Sequence, residues 1–172
     1  MAMIQRETDI DIRSDLRPGD IGAVIQLHGV CYAAEYGFDH TFEPYVAVPL
    51  AEFVLRGDPR ERIWIVTRDG QVGGSVAIVA ASDHEAQLRW LLLAPALRGR
   101  GIGRRLVAEA LAFCRRSGYE SVFLWTLAHL EKALAVYRQL GFQVRQRRTQ
   151  RIWGQELTEE RHALDLKPRN PS

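Results

Sequence analysis

Cysteine occurs only twice in the 172 residues, at Cys31 and Cys114, and neither belongs to a Cys-x-x-Cys or Cys/His pattern. A disulfide framework and a zinc site are therefore not expected, and the two thiols read as reduced groups in a cytoplasmic protein. Lysine is almost missing as well. Lys132 and Lys167 are the only two, so arginine supplies nearly all of the 23 basic residues that stand against 21 acidic ones, for a net charge of +2. A whole-surface nucleic-acid binder is usually far more basic, and no helix-turn-helix or aromatic pattern accompanies the arginines. Apolar runs long enough to cross a bilayer are lacking. The N-terminal stretch MAMIQRETDIDIR is charged and has no apolar core of a secretory signal, so a soluble, unprocessed chain without a membrane partner is expected.

What is present suffices for one sizeable core: 47% of the residues are hydrophobic. Residues 1–172 read as one domain, with about 167–172 a polar tail. Residues 8–13 alternate as a short strand. Pro18-Gly19-Asp20 then opens a helix carrying Ile21, Val24, Ile25 and His28 at helical spacing, and Glu35 to Asp39 breaks it. A second helix is expected from about Phe42 to Leu55, with Pro44 and Pro49 blurring its limits. Ile63 to Val66 and Val72 to Ala80 form a hairpin around Asp69-Gly70, and Gln87 to Leu93 continues the meander. Beyond Pro95, a helical stripe of Ile102, Leu106, Val107, Ala110, Leu111 and Cys114 stops at Gly118, and Val122 to Trp125 is a buried strand. A further stripe runs from Leu130 through Tyr137 to Leu140 and ends at Gly141; strands beginning at Phe142 and around His162 to Leu166 close the chain. The order is that of a mixed α/β chain.

The segment with most chemical content runs from Leu91 to Arg105, a strand end passing through a glycine-rich turn into a helix. The first turn of a helix has backbone N–H groups without partners and a dipole that favours negative charge, and glycines let a ligand approach the main chain. A pyrophosphate suits such a place. The glycines match neither the dinucleotide-binding G-x-G-x-x-G nor a P-loop, since no Lys-Ser/Thr follows them.

Arg98-Gly99-Arg100-Gly101-Ile102-Gly103 resembles instead the pyrophosphate loop, [QR]-x-x-G-x-[GA], of the GNAT superfamily of N-acetyltransferases. Ala133 to Phe142 resembles the A-x-x-x-Y-x-x-x-G-F segment of the same family, at the expected distance. The two blocks carry the likeness from about Trp64 to the end of the chain. His28-Gly29, Tyr32, Glu35-Tyr36-Gly37 and Phe42-Glu43 further resemble the acetyltransferase domains fused to MarR-type winged-helix regulators, of which this chain would be a free-standing relative. The resemblance implies an α/β (α+β) fold of the GNAT type: a mixed, mostly antiparallel twisted sheet flanked by about four helices. It implies acetyl-CoA as acyl donor, no metal, and transfer of the acetyl group to a primary amine by direct attack within a ternary complex. Leu91, Leu92 and Leu93 would hold the pantetheine arm and thioester through their backbone. Arg98 and Gly99, Arg100, Gly101, Ile102, Gly103 and Arg104 would wrap the pyrophosphate, with Ala133 beside the cofactor and Tyr137 as the acid that protonates the departing thiolate. Seven residues before that tyrosine many members have Asn, where this chain has Leu130.

A general base is harder to place, and the candidates are Glu85 at the start of the third meander strand and Glu35 on the loop after the first helix. His28, on an apolar helix face, reads as a core histidine. Trp64, Trp90 and Trp125 read as packing residues, and Trp153 as the tryptophan free to face the cleft. The second arginine cluster, Arg145, Arg147, Arg148 and Arg151, falls in the closing strands and suits a surface, a partner or an acidic substrate. A final strand at the sheet edge would permit a homodimer. The acceptor would be a small-molecule or peptide amine; a CoA-binding sensor without turnover is the alternative reading of the same loop.

Overall fold

Asp69 and Gly70 adopt positive φ angles of 50° and 79°, which a two-residue hairpin turn requires, and the meander of the first half is built around them. The computed structural model describes residues 9–167; residue 8 of the first expected strand and the tail from 168 lie outside the described residues. Along the chain run β1 (Ile10–Arg13), α1 (Asp20–Tyr36), α2 (Phe42–Arg56), β2 (Arg62–Arg68), β3 (Gln71–Ala80), β4 (Glu85–Leu93), α3 (Ile102–Arg116), β5 (Ser121–Leu127), α4 (Glu131–Gln139), β6 (Gln143–Ile152) and β7 (Gln155–Asp165). The seven strands form one sheet in the order β1-β2-β3-β4-β5-β7-β6, antiparallel throughout except for β4 against β5. This is the mixed, mostly antiparallel sheet with four helices that the sequence led us to expect.

Two boundaries differ from expectation, while α2 matches it. α1 continues through Glu35 and Tyr36 and stops at Gly37, whose φ of 70° lets its N–H reach the carbonyls of Ala33 and Tyr32. Glu35 is thus on the last helical turn rather than on a loop. α2 passes through Pro49 without ending, held down by the buried Val46, Leu50 and Phe53. The last strand starts at Gln155, seven residues before the apolar segment that marked it, and β7 lies between β5 and β6. The edge at this end of the sheet therefore belongs to β6, not to the final strand, and β6 is exposed along nearly its whole length and carries four arginines, a charge that disfavours edge-to-edge pairing.

Both faces of the sheet are covered, so β2 alternates between two cores. Trp64 and Val66 pack with Val76, Ile78, Leu106, Val107 and Ala110 under α3; Ile63 and Ile65 pack with Val24, Val46, Leu50 and Phe53 under α1 and α2. Full burial of each such aliphatic side chain contributes roughly 1.5–3 kcal/mol.

One irregularity positions the site. Ser75 pairs with Leu92 and Ala77 with Arg89, so Val76 alone faces both Trp90 and Leu91, which is a β-bulge in β4. Trp90 sits at φ 50°, unusual for a bulky residue, and the Ser75 hydroxyl donates to the Trp90 carbonyl at 2.7 Å. Gly74 makes room for the bulged strand, since a Cβ there would meet the Leu92 carbonyl oxygen at 2.7 Å. β4 and β5 pair only over Glu85↔Ser121, Ala86↔Val122 and Gln87↔Phe123 and then diverge, so the facing edges of both strands have no ladder partner beyond those residues.

Candidate functional site

The gap between the diverging strands opens into a cavity of about 820 Å³, walled by Gln87 to Leu93, by Leu124 to Leu127, by α1 and α2 and by the start of α4. At one end stands the glycine loop. Gly99 and Gly101 have φ angles of 73° and 76°, so both need glycine, and Gly101 caps α3 without any side-chain hydrogen bond. The first N–H groups of α3 therefore have no intrahelical or capping partner. A Cβ at Gly103 would meet nothing closer than Leu93 Cδ1 at 3.6 Å; that position keeps free space in front of the helix rather than relieving strain. The loop, the helix dipole and Arg104 make this end suited to a phosphate-bearing ligand.

Arg98 serves the loop differently. Its Nε donates to the Leu93 carbonyl at 2.9 Å and its two terminal nitrogens hold the Glu35 carboxylate at 2.8 and 2.6 Å. The pair ties the last turn of α1 to the loop, and the Arg98 guanidinium holds the Glu35 carboxyl below the usual carboxylate range. A carboxylate so bound is a weak base.

Mid-cavity, Tyr137 comes from α4, edge-on to Phe142 at 5.8 Å between ring centroids and only 6% exposed. Burial pushes its phenol well above the ordinary value, so it stays protonated. Ala133 and Leu130 line the same wall, and Leu130 caps α4 without a side-chain hydrogen bond.

The far end is aromatic. Trp153, in the β6–β7 turn, lies 4.9 Å from the rings of Phe38, Phe42 and Tyr45, and the backbone N–H of Asp39 donates to the Trp153 carbonyl at 3.2 Å. The last hairpin is thereby fastened to the α1–α2 loop and closes that end. Arg89 projects here beside Tyr45 and over the Trp90 ring at 4.9 Å, and desolvation lowers its pKa. Glu159 is 3% exposed and engaged by Arg148 at 2.8 Å and Gln150 at 2.6 Å. His28 donates from Nδ1 to the Val24 carbonyl at 2.8 Å, which leaves a bare Nε2 without a partner among the described residues; burial lowers its pKa to about 4.

Of the residues singled out from the sequence, Glu35, Leu91, Leu92, Leu93, Arg98, Gly99, Gly103, Arg104, Ala133 and Tyr137 line this one cavity. Arg100, Gly101 and Ile102 shape the turn and helix start without lining it. Glu85 is elsewhere: it sits at the closed end, where β4 still pairs with β5, and its carboxylate accepts from Arg161 at 2.7 Å. Trp153 does line the cavity, as do Trp90 and Trp125, which the sequence suggested were packing residues. Sequence reasoning missed Arg89, Tyr45 and Glu159. A signal for the first was available, since Glu-Ala-Gln-Leu-Arg alternates regularly and the alternation fails at Trp90. Of the second arginine cluster, Arg147 and Arg148 are spent on the buried Glu160 and Glu159 of β7.

A family model described as acetyltransferase (GNAT) family matches residues 23–142. The uncharacterized N-acetyltransferase YjgM of Escherichia coli is 31% identical over 116 residues, 64% of this chain and 70% of that protein. N-acetyltransferase family 8 member 3 of Rattus norvegicus is 35% identical over 85 residues, 46% of this chain and 37% of the relative, so the likeness spans well under half of that protein's length. Among solved structures, yncA of Salmonella typhimurium, which holds acetyl-CoA, superposes with a TM-score of 0.75 at 18% identity over 95% of this chain and 98% of its own. The finer likeness to regulator-fused domains is not among what these comparisons show.

Proposed function

The chain belongs to the GNAT acetyltransferase family, an acetyl-CoA-dependent acyltransferase by that membership, and we propose that it moves the acetyl group of acetyl-CoA onto a primary amine in a single ternary complex. The observation that carries this reading is the continuous cavity running from the uncapped start of α3, along the unpaired edge of bulged β4, past Tyr137 to an aromatic chamber.

In this reading the pyrophosphate lies on the N–H groups of Gly99 to Arg104, where the dipole and the two positive-φ glycines favour it. The pantetheine arm takes the place of a missing strand along Leu91 to Leu93, whose edge has hydrogen-bonding groups to offer. The amine enters from the aromatic end as the neutral base, its ammonium proton having passed to water in the open cavity. Its nitrogen lone pair attacks the thioester carbonyl carbon; the C–N bond forms, the C–S bond breaks, the thiolate takes the Tyr137 proton, and the proton that the acylated nitrogen sheds passes to water, which reprotonates the phenolate. Backbone N–H groups at the bulge are the donors available to the carbonyl oxygen as negative charge builds there. Glu35 acts through Arg98 as a positioning residue for the loop, and Glu85 takes no part.

Free-thiol release against an amine panel, with acetyl-CoA affinity measured separately by calorimetry, tests the assignment. Tyr137→Phe should lower kcat roughly 100-fold or more while leaving acetyl-CoA affinity within a few-fold, because it removes only the proton donor. Parallel losses in both would remove Tyr137 from the acid role, and a protein that does not bind acetyl-CoA at all would overturn the whole reading.

A further inference from the structure

The charges of the cavity wall that are withdrawn from solvent are nearly all matched; Glu131 and Lys132, on the first turn of α4, also line it but are exposed to water. Arg98 holds Glu35 and Arg148 holds Glu159, so neither carboxylate is available to another cation. Arg104 belongs to the phosphate end. Arg89 remains, half-buried at the opposite end, and among the described residues no carboxylate lies within ion-pair distance of it. Desolvation lowers its pKa most; the Tyr45 hydroxyl beside it works against that, and Arg56 and Glu52 of α2 act in opposite senses to each other. Its guanidinium lies over the Trp90 ring and beside Tyr45. Trp90 itself has an indole N–H that is buried without an acceptor. This end thus presents an unpaired cation beside an aromatic chamber, the carboxylate found here, Glu159, being held by Arg148 and Gln150. Leaving such a cation desolvated is costly unless something supplies the countercharge.

We propose that the acceptor supplies it: the amine carries a carboxylate that docks on Arg89, so the natural substrate class is free amino acids rather than simple amines or the side-chain lysines of proteins. The inference rests on the acetyl-transfer reading above. Arg89 stands directly before the bulge that Trp90 and Leu91 form in β4. An α-amino acid whose carboxylate meets the guanidinium fork therefore has its amino group directed at the β4 bulge, where the thioester carbonyl is read to lie. Arginine suits the task because its planar fork takes a carboxylate through two parallel hydrogen bonds. The aromatic wall of Phe42, Tyr45 and Trp153 then receives an apolar side chain.

The test compares matched pairs that differ only in the carboxylate: phenylalanine with phenethylamine, leucine with isopentylamine, methionine with 3-(methylthio)propylamine. Thiol release is followed for the wild type, Arg89→Gln and Arg89→Lys, together with calorimetric binding of each probe to the protein–CoA complex. The wild type should favour at least one amino acid over its amine by tenfold or more in kcat/KM. Arg89→Gln should abolish that preference by acting on the acid alone, with acetyl-CoA affinity and melting temperature unchanged, and Arg89→Lys should restore part of it. Equal use of acid and amine by the wild type, or equal losses for both in Arg89→Gln, overturns the inference. So does acetyl-CoA binding with neither turnover nor binding of any amino acid, an outcome that leaves the acetyl-transfer reading standing. Absence of acetyl-CoA binding removes both. Should Arg89→Gln fail to fold, the wild-type acid-to-amine ratio decides alone.

Discussion

Acidification should destabilise this protein through one buried side chain well before its carboxylates begin to protonate. His28 is 3% exposed, spends its Nδ1 proton on the Val24 carbonyl, and has its pKa lowered by burial from 6.5 to about 4. The unfolded chain therefore binds a proton at this residue between about pH 6.5 and pH 4 that the folded chain refuses, so stability is intact above 6.5 and is lost as the pH falls towards 4. A gap of that size corresponds to roughly 3 kcal/mol in the limit, of which about 2 kcal/mol is lost between pH 7 and pH 5. Asp20, Glu35 and Glu160 have pKa values below the ordinary carboxylate range, which places their own contributions at lower pH. Urea unfolding at pH 7, 6 and 5 reads the slope directly, with His28→Leu as the control that cannot titrate. The wild type should lose about 2 kcal/mol across that range and the variant much less. Parallel profiles for the two proteins would mean that His28 is protonated in the folded state, and the burial argument would fail with it.

Two further perturbations separate the roles of neighbouring residues. Glu35→Gln breaks the two-pronged hold on Arg98; because the pair is partly exposed it should cost no more than about 1 kcal/mol, raising KM for acetyl-CoA modestly while kcat stays within a few-fold. A hundredfold fall in kcat at unchanged KM would make Glu35 the base after all. Gly101→Ala forces a side chain into φ 76° and should cost about 1–2 kcal/mol and weaken acetyl-CoA binding. Gly103→Ala, whose Cβ meets only Leu93 Cδ1, should fold without loss, as paired urea and calorimetric measurements would show.

How much of this was legible in the sequence depended on whether the cause was local. The turn at Gly99 to Gly103 and the stripe carrying Tyr137 depend on conformations that glycine and helical spacing announce within a dozen residues, and both line the site or shape its edge. Glu85 could not be placed relative to the cavity from the sequence, because alternation fixes the face of a strand but not the position along it. It shares a face with Gln87 and Arg89 yet sits about 13 Å from Arg89, where the gap between β4 and β5 is closed. β7 went largely unread because Gln155 to Arg161 carries its carboxylates inward, and a buried Glu159 is recognisable only once Arg148 and Gln150 from the neighbouring strand are set against it. The aromatic chamber combines residues more than a hundred positions apart, and no local pattern encodes that meeting.

Trp153 and Gly154, fastened to the loop between the first two helices, divide the molecule by use. The family match ends at Phe142, so the hairpin that follows is the part least bound by what the cofactor demands. None of its residues belongs to the glycine loop or to β4, yet its turn closes the chamber where the acceptor is read to enter. Lengthening or exchanging that turn should retune which amine is accepted while leaving donor binding alone, which makes the hairpin the natural module to swap when a different specificity is wanted from the same catalytic frame.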